Sequence, residues 1–280
     1  MEFRYVSDSS RGARLESTSM ASPMKTVARL LSAAKDLCLG TNLASLGLIG
    51  RPRAMHRYAR EALLLRRSVA PSRLQSRTIS EVLPSARDVH LQLFPNRDNW
   101  FVWGPSFSLD IVSLCILCRS FDQKRIFEIG TFHGYTTLHL AMNSADDAVV
   151  YTLDLAADSD VSLNITDLDR QIIAERQDAC CFAGHHERKK IHRLFGDSAK
   201  FDFSPFTGKI DLFFIDGAHS YEYVKSDTLN ALKCCHRGSA IAWHDYGRVQ
   251  FGVTRFLEEL AKQMEIYIVP GGSLAFAILK

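Results

Sequence analysis

The sequence predicts an α/β fold: a doubly wound, mostly parallel sheet covered by helices on both faces. The first observation is an alternation, from residue 106 onward, of short apolar runs with longer helical segments. The second is the end of the chain, where two apolar runs flank Pro270, Gly271 and Gly272 and so predict a hairpin. The third is a composition of 46% hydrophobic and 23% charged residues, which is typical of a globular domain.

The apolar runs predict seven strands, at residues 125–128, 149–155, 191–195, 210–216, 240–244, 265–269 and 274–279. Helices are predicted at residues 106–120, 135–142, 167–186, 221–235 and 249–264. Strands that alternate with helices run parallel through right-handed crossovers, and the final hairpin adds an antiparallel strand. Because ligands of such sheets bind at the carboxyl ends of the strands, the residues that follow each strand form the candidate site.

Charge divides the chain into two parts. Residues 1–77 contain 14 Lys and Arg against 5 Asp and Glu, a balance of +9. The overall +3 then leaves −6 for the remainder, so the body is not built to bind nucleic acid. We predict a basic, partly disordered and partly helical N-terminal extension and lid over residues 1–100, and the main domain over residues 101–280. The extension is interpreted as a cap or free arm; an organelle-targeting segment and a contact with an anionic surface are the alternatives.

Cysteine usage and hydropathy bear on location. The seven cysteines are odd in number and include two adjacent pairs, which disfavours disulfides and indicates a reducing compartment. No uninterrupted apolar run reaches the ~18 residues that a membrane-spanning helix needs. We therefore expect a cytoplasmic protein, and a homo-oligomer is compatible with the sequence.

The first predicted strand runs into a glycine turn that reads Glu128-Ile129-Gly130-Thr131-Phe132-His133-Gly134-Tyr135-Thr136. Such a turn lets a ligand approach the backbone and the N-terminus of the following helix. A dinucleotide fingerprint needs glycine where Phe132 stands, so that a pyrophosphate can touch the main chain. Phe132 therefore disfavours NAD or FAD, and a tight structural turn without a ligand is the alternative.

The next two strands each end near a carboxylate. Asp154, followed by Leu155, comes about twenty residues after the glycine turn, where an acid can accept hydrogen bonds from two ribose hydroxyls. Asp197 and Ser198 follow the third strand. Asp197 is a candidate acceptor for an exocyclic amine, or the N-cap of the next helix.

The fourth and fifth strands are followed by several acidic and histidine residues. Asp216 and His219 follow the fourth strand, and His244 and Asp245 follow the fifth. If these strands are neighbours, about 4.8 Å apart, then Asp216, His244 and Asp245 converge. Two carboxylates and an imidazole at one edge of the sheet would repel one another or lack partners without a cation or a bound substrate, so they favour a divalent metal. The alternative is that the carboxylates cap the following helices while His244 packs against Tyr246.

Together these strand ends resemble the class I S-adenosylmethionine-dependent methyltransferases. Within that class the chain is most similar to the small-molecule O-methyltransferases with a Glu-Ile-Gly-Thr-x-x-Gly turn and an Ile-Asp-Gly-x-His strand end, the family 24-like group. That group includes sugar and macrolide methyltransferases and is akin to catechol-type enzymes. The resemblance covers about residues 106–280. It implies a Rossmann-like fold, S-adenosyl-L-methionine as cofactor and a hydroxylated small molecule as acceptor.

The resemblance also implies which residues bind. The cofactor-binding set is Glu128, Gly130, Thr131, Phe132, Gly134, Thr136, Asp154, Leu155, Asp197, Ser198 and Asp216. In metal-dependent relatives, a carboxylate after the fourth strand and an acidic pair after the fifth hold Mg²⁺. Asp216 and Asp245 match that pattern, whereas His244 stands where an acid is usual. Imidazole suits Mn, Fe or Zn better than Mg²⁺, so His244 leaves open whether a metal is required and whether it is Mg²⁺ or Mn²⁺.

For the chemistry we predict His219 as general base, because the ordinary pKa of histidine is near neutrality, with Asp216 and Asp245 holding the cation. His133 is a second candidate base. The acceptor is expected against residues 94–107, with Trp100 and Trp103, and residues 156–167. Three alternatives stay open: an NAD-dependent oxidoreductase, a metal-independent methyltransferase acting on oxygen or nitrogen, and a non-catalytic nucleoside-binding module.

Overall fold

The computed structural model describes residues 72–94, 105–120, 124–156, 160–175, 180–248 and 250–280. The basic segments predicted before residue 72 lie outside these ranges, as do Trp100 and Trp103 of the predicted lid.

Within the described ranges, eight strands form one mixed sheet. They are β1 (Gln75–Ser76), β2 (Arg125–Ile129), β3 (Val149–Asp154), β4 (Ile191–Phe195), β5 (Ile210–Ile215), β6 (Cys235–Trp243), β7 (Tyr267–Ile268) and β8 (Ala275–Ile278). Their order is β1-β7-β8-β6-β5-β2-β3-β4. Strand β8 runs antiparallel to both of its neighbours, and all other neighbouring pairs are parallel. The doubly wound fold and its closing antiparallel strand are confirmed.

The predicted number of seven strands is wrong by one. The additional strand, β1, pairs in parallel with β7 at the edge of the sheet. Its pairing continues through the amide of Arg77, which donates to the carbonyl of Ile268 at 3.0 Å. Both residues of β1 are exposed, so the apolar alternation that marks a half-buried strand is absent. The boundary at residues 100 and 101 stays a prediction, but residues 75–76 add a strand to the sheet.

The helices are α1 (Ile79–Val82), α2 (Pro105–Ser120), α3 (Tyr135–Met142), α4 (Asp167–Glu175), α5 (Tyr221–Cys234) and α6 (Gly252–Leu260). Two of them are shorter than predicted. Residues 180–186, predicted as the end of α4, are not α-helical, and α6 begins at Gly252 instead of residue 249. At Gly252 a Cβ atom would lie 2.1 Å from the amide nitrogen of Tyr221, so glycine permits this close approach of α6 to α5. Among the described helices, none has both the length and the apolar character needed to cross a membrane.

Alternating side chains of the central strands build a core on each face of the sheet. Phe127, Phe213 and Trp243 pack on one face. Their sequence neighbours Ile126 and Phe214 pack on the other. Because both faces are covered, the central strands read as continuous apolar runs, as expected for buried parallel strands. This double burial fixes the strand register and leaves the strand ends as the places where polar groups meet solvent.

Gly130 joins the ends of β2 and β5. Its backbone adopts φ +99°, and a Cβ atom there would lie 2.0 Å from the carbonyl oxygen of Asp216. A side chain at this position would therefore both strain the backbone and push the two strand ends apart.

We predict that Gly130→Ala lowers the free energy of unfolding by about 3 kcal/mol or more, since left-handed strain adds to a steric clash. Gly208→Ala is the matched control, because Gly208 also has positive φ (+66°) but no atom within 4 Å of the added Cβ. It should cost only about 1–2 kcal/mol, the left-handed strain alone. Urea unfolding measures both. Equal losses in the two variants would show that the contact with Asp216 is not tight.

Candidate functional site

One row of backbone hydrogen bonds continues the sheet by one residue beyond the ends of five parallel strands. Because these bonds lie side by side, they bring the residues that follow β2, β3, β4, β5 and β6 to the same edge. Four bonds form the row: Gly196 N to Asp154 O at 3.0 Å, Gly130 N to Leu153 O at 2.9 Å, Asp216 N to Ile129 O at 2.9 Å, and His244 N to Ile215 O at 3.1 Å.

A cavity of about 240 Å³ opens at this edge. Most of the predicted site residues line it: Gly130, Thr131, Phe132, Thr136, Asp154, Leu155, Asp197, Ser198, Asp216, His219, His244 and Asp245. Phe132 and Asp245 have left-handed backbones, at φ +46° and +61°. Non-glycine residues in this conformation are often found at functional sites, and both of these residues face the cavity.

Glu128 and Gly134 are not part of the cavity lining. Glu128 is fully buried, and its Oε2 accepts hydrogen bonds from Thr137 at 2.5 Å and Thr152 at 2.6 Å. Burial is the main cause that raises the pKa of Glu128 to about 8. Gly134 is the N-cap of α3 with φ +75°, where a Cβ atom would clash with the ring of Phe182. Glu128 and Gly134 therefore stabilise the glycine turn without lining the cavity.

Asp197 is occupied by contacts within the chain. Its carboxylate accepts from the amide of Ser162 at 2.8 Å, from the Ser162 hydroxyl, from the amide of Ala199 at 3.0 Å and from the Tyr223 hydroxyl at 2.9 Å. A carboxylate has about four acceptor positions, so these four donors fill it. Asp197 thus fixes the loop at Ser162, and an incoming amine finds no vacant lone pair while that loop is in place.

Strands β5 and β6 are neighbours, and the acid–imidazole convergence that depends on this pairing is present. The His244 Nδ1 atom lies 3.1 Å from Oδ1 of Asp216 and 3.5 Å from Oδ1 of Asp245. Its Nε2 atom lies 3.3 Å from Oδ2 of Asp110, a buried residue of α2. Burial alone would lower the pKa of His244, but the surrounding carboxylates outweigh burial and raise it well above the ordinary value.

His219 is held between two carboxylates. Its Nδ1 atom lies 2.5 Å from Asp169 and its Nε2 atom 2.7 Å from Asp245. Burial opposes the charged form, yet the hydrogen bonds and charges of both carboxylates raise the pKa of His219 to about 10. The ring also stacks on Phe251, with centroids 4.2 Å apart. An imidazole with both nitrogens bound to carboxylates is placed as a donor, so this geometry does not favour His219 as a general base.

The sequence reasoning missed three charged members of this cluster. Asp110 and Asp169 supply carboxylates to His244 and His219, and the Nε atom of Arg248 lies 2.6 Å from Oδ1 of Asp245. A single acid inside the apolar run of α2 was the signal available for Asp110. For Asp169 the signal was its place three residues after Thr166, in the first turn of α4. Neither signal points to a partner that is distant in sequence.

Three side chains of this edge are spaced as metal ligands. Asp216, His219 and Asp245 each offer one donor atom, and these atoms lie within 4.8 Å of one another. The predicted set contained His244 in place of His219. Two carboxylates and one imidazole form a chemically suitable donor set for a divalent transition metal. In the structure the His219 imidazole contacts Asp245 itself, so a bound cation and the ring proton are alternative partners of that carboxylate.

The fold and the strand-end residues agree with those of the class I S-adenosylmethionine-dependent methyltransferases, which the sequence resembles. In family terms, residues 127–246 match the model described as a methyltransferase domain. This range contains the glycine turn and every strand end from β2 to β6. No curated protein sequence matches the chain.

Solved structures that resemble the chain include three bacterial proteins. An O-methyltransferase, TomG, from Streptomyces achromogenes is 21% identical, with 63% of this chain and 82% of that one covered and a TM-score of 0.44. A putative caffeoyl-CoA O-methyltransferase from Staphylococcus aureus is 19% identical, with 73% and 93% covered and a TM-score of 0.46. An O-methyltransferase from Bacillus cereus is 18% identical, with 71% and 88% covered and a TM-score of 0.43.

Asp227 of α5 is a buried acid close to the cavity floor, since a Cβ atom on the cavity-lining Gly217 would lie 3.9 Å from its Oδ2. Burial is the main cause that raises the pKa of Asp227 to about 7, and the charge of Asp197 adds to it. An acid whose pKa is higher in the folded than in the unfolded state keeps its proton longer when folded. The free energy of unfolding therefore falls as the pH rises from about 4 to about 7.

We predict that Asp227→Asn abolishes this fall in the free energy of unfolding with rising pH. At pH 8 the variant should exceed the wild type in free energy of unfolding by a few kcal/mol, because raising the pKa of an acid from its ordinary value to about 7 corresponds to roughly 4 kcal/mol. At pH 4 the two proteins should be equally stable, apart from the small cost of the amide. Urea unfolding at several pH values measures the difference. A difference that does not change with pH would contradict the raised pKa.

Proposed function

We propose that the protein transfers the methyl group of S-adenosylmethionine to a hydroxyl group of a small molecule. The observation that carries the proposal is the charge of the cavity lining. Within the described residues, the carboxylates of Asp154, Asp169, Asp197, Asp216 and Asp245 face it, against the guanidinium of Arg248 and the imidazoles of His133, His219 and His244. An acidic lining attracts a sulfonium cation and repels the pyrophosphate of a dinucleotide.

The nucleoside is assigned to the side of the cavity formed by β2, β3 and β4. Asp154 is the acceptor for the ribose hydroxyls, since its carboxylate stands at the end of β3 and lines the cavity. Leu155 and Ser198 border the base, and Asp197 shapes that end by holding Ser162. The glycine turn provides backbone and side-chain contacts for the methionine part. The bound cofactor supplies a methyl group that is already activated as an electrophile.

The chain's own residues then orient the acceptor and take its proton. We assign this role to Asp216, because its side chain is 24% exposed while that of Asp245 is 8% exposed. His133 also lines the cavity, and burial lowers its pKa, which keeps the ring neutral at pH 7 and makes it the second candidate base. Alignment of the hydroxyl by these groups supplies several kcal/mol of the barrier. When no metal ion is bound, His219 supports Asp245 through its Nε2 atom.

Divalent-metal assistance is part of the proposal. Asp216, His219 and Asp245 fit such an ion by donor type and by spacing. A cation held there would lower the pKa of an acceptor hydroxyl and so ease removal of its proton. A second candidate function is methyl transfer without a metal ion. One observation supports it: His219, His244 and Arg248 already place positive charge beside the same carboxylates.

The proposed location is a reducing compartment, the cytoplasm. The cysteines within the described ranges are free thiols, most of them buried, as expected where disulfides do not form.

We predict that the wild type binds S-adenosylhomocysteine in calorimetry and does not bind NADH. Asp154→Ala should weaken S-adenosylhomocysteine binding by about tenfold or more, because hydrogen bonds to a charged acceptor contribute roughly 1.5–3 kcal/mol. Asp146→Ala is the matched control: Asp146 is an exposed acid in the turn before β3, at the opposite end of that strand. It should bind like the wild type. NADH binding of similar strength would overturn the assignment.

We predict that dialysis against a chelator lowers methyl transfer by about tenfold or more, and that Mn²⁺ restores it better than Mg²⁺ because an imidazole is among the donors. Transfer of labelled methyl groups to a panel of phenolic, sugar and aliphatic hydroxyl compounds measures the activity. Activity that is insensitive to the chelator would remove the metal from the proposal and leave the imidazole and guanidinium groups as the positive charges of the site.

A further inference from the structure

The segment of residues 160–175, which contains α4, forms one wall of the cavity. Ile172 and Ile173 point apolar side chains into it, and Ile173 is 38% exposed. An apolar side chain that faces a cavity contributes less burial than one in the core. Apart from Leu168, which packs against the core of the sheet, apolar contacts hold this part of the segment weakly, so polar contacts contribute strongly to its position.

Two carboxylates supply the charged ones among these polar contacts, and the Tyr223 hydroxyl also accepts from the amide of Ser162 at 3.1 Å. Near the start of the segment, the amide and hydroxyl of Ser162 donate to Asp197. Within α4, Asp169 is the second attachment, and only 4% of its surface is exposed. One attachment thus joins the segment to the end of β4, and the other joins it to the loop after β5.

Asp169 uses its two carboxylate oxygens for different tasks. Its Oδ2 accepts from the amide and the hydroxyl of Thr166, both at 2.8 Å, which stabilises the first turn of α4. Its Oδ1 pairs with Nδ1 of His219 at 2.5 Å, and the amide of His219 lies 3.3–3.4 Å from both oxygens. One side chain therefore joins the helix start to the strand-end loop through charge-assisted hydrogen bonds.

The contact continues to the reactive edge. The opposite nitrogen of His219 lies 2.7 Å from Asp245, whose backbone is left-handed. A ring with one nitrogen on Asp169 and the other on Asp245 has one orientation that satisfies both. Loss of Asp169 would free the His219 ring to rotate and would weaken its contact with Asp245.

We infer that Asp169 is a positioning residue: it holds α4 as the wall that retains the bound nucleoside, and it fixes the His219 ring against Asp245. The inference rests on the proposed function for the identity of the nucleoside. The attachment of α4 to His219 is independent of that identity, so the two ideas can fail separately.

The test uses the full chain, with S-adenosylhomocysteine as probe. Three variants are compared with the wild type: Asp169→Ala, Asp169→Asn, which keeps one acceptor oxygen, and Asp167→Ala. Asp167 is the matched control, because it is an exposed acid in the same first helical turn. Amide hydrogen exchange reports on residues 160–175, and stopped-flow displacement gives the dissociation rate of the probe.

In Asp169→Ala, exchange of the α4 amides and dissociation of the probe should each become faster by about tenfold or more, since a hydrogen-bonded charge pair is lost. Exchange in β2 and β5 should not change, which shows that the sheet stays folded. Asp169→Asn should recover part of both effects, and Asp167→Ala should match the wild type.

Three results would overturn the inference. The first is α4 exchange in Asp169→Ala equal to that of the wild type. The second is equal effects of the Asp169→Ala and Asp167→Ala variants. The third is faster exchange with an unchanged dissociation rate, which would leave Asp169 a purely structural residue. If the wild type does not bind the probe at all, the proposed function and the retention of the nucleoside both fail, and the exchange comparison alone decides whether Asp169 holds α4.

Discussion

The site depends on the last row of backbone hydrogen bonds across β4, β3, β2, β5 and β6. These bonds set the level at which each strand stops, so five loops begin side by side. The row tolerates little variation at Gly130, because a Cβ atom there would lie only 2.0 Å from the carbonyl oxygen of Asp216. Double burial of the sheet keeps the strands in register, and the register in turn gives the acidic residues their common edge.

Charge balance is the second constraint at this edge. Asp110, Asp169, Asp216 and Asp245 would repel one another if they stood alone. His219 and His244 lie between them, each within ion-pair distance of at least two carboxylates, and Arg248 contacts Asp245 as well. His244 thus joins Asp110, the buried acid of α2, to the carboxylates at the strand ends. Such a network fixes side-chain orientation before any ligand arrives.

The sequence could predict the fold because its signal is local. Alternating apolar runs and helical segments mark each element, and the strand-end acids follow directly from the strand boundaries. The role of His219 could not be predicted in this way. Its partner Asp169 lies 50 positions earlier in a polar helix, and only the packed chain shows that both ring nitrogens are engaged. The same limit applies to β1, whose two exposed residues carry no alternation and whose pairing with β7 spans most of the domain.

A crystal structure with S-adenosylhomocysteine tests the central claim most directly, namely that the acidic strand ends form a single nucleoside site. We expect the ribose hydroxyls within hydrogen-bond distance of Asp154 and the sulfur atom directed toward Asp216. The α4 segment should lie over the nucleoside with the contact between Asp169 and His219 intact. A nucleoside bound away from Asp154, or with its sulfur directed away from the ends of β5 and β6, would contradict the account.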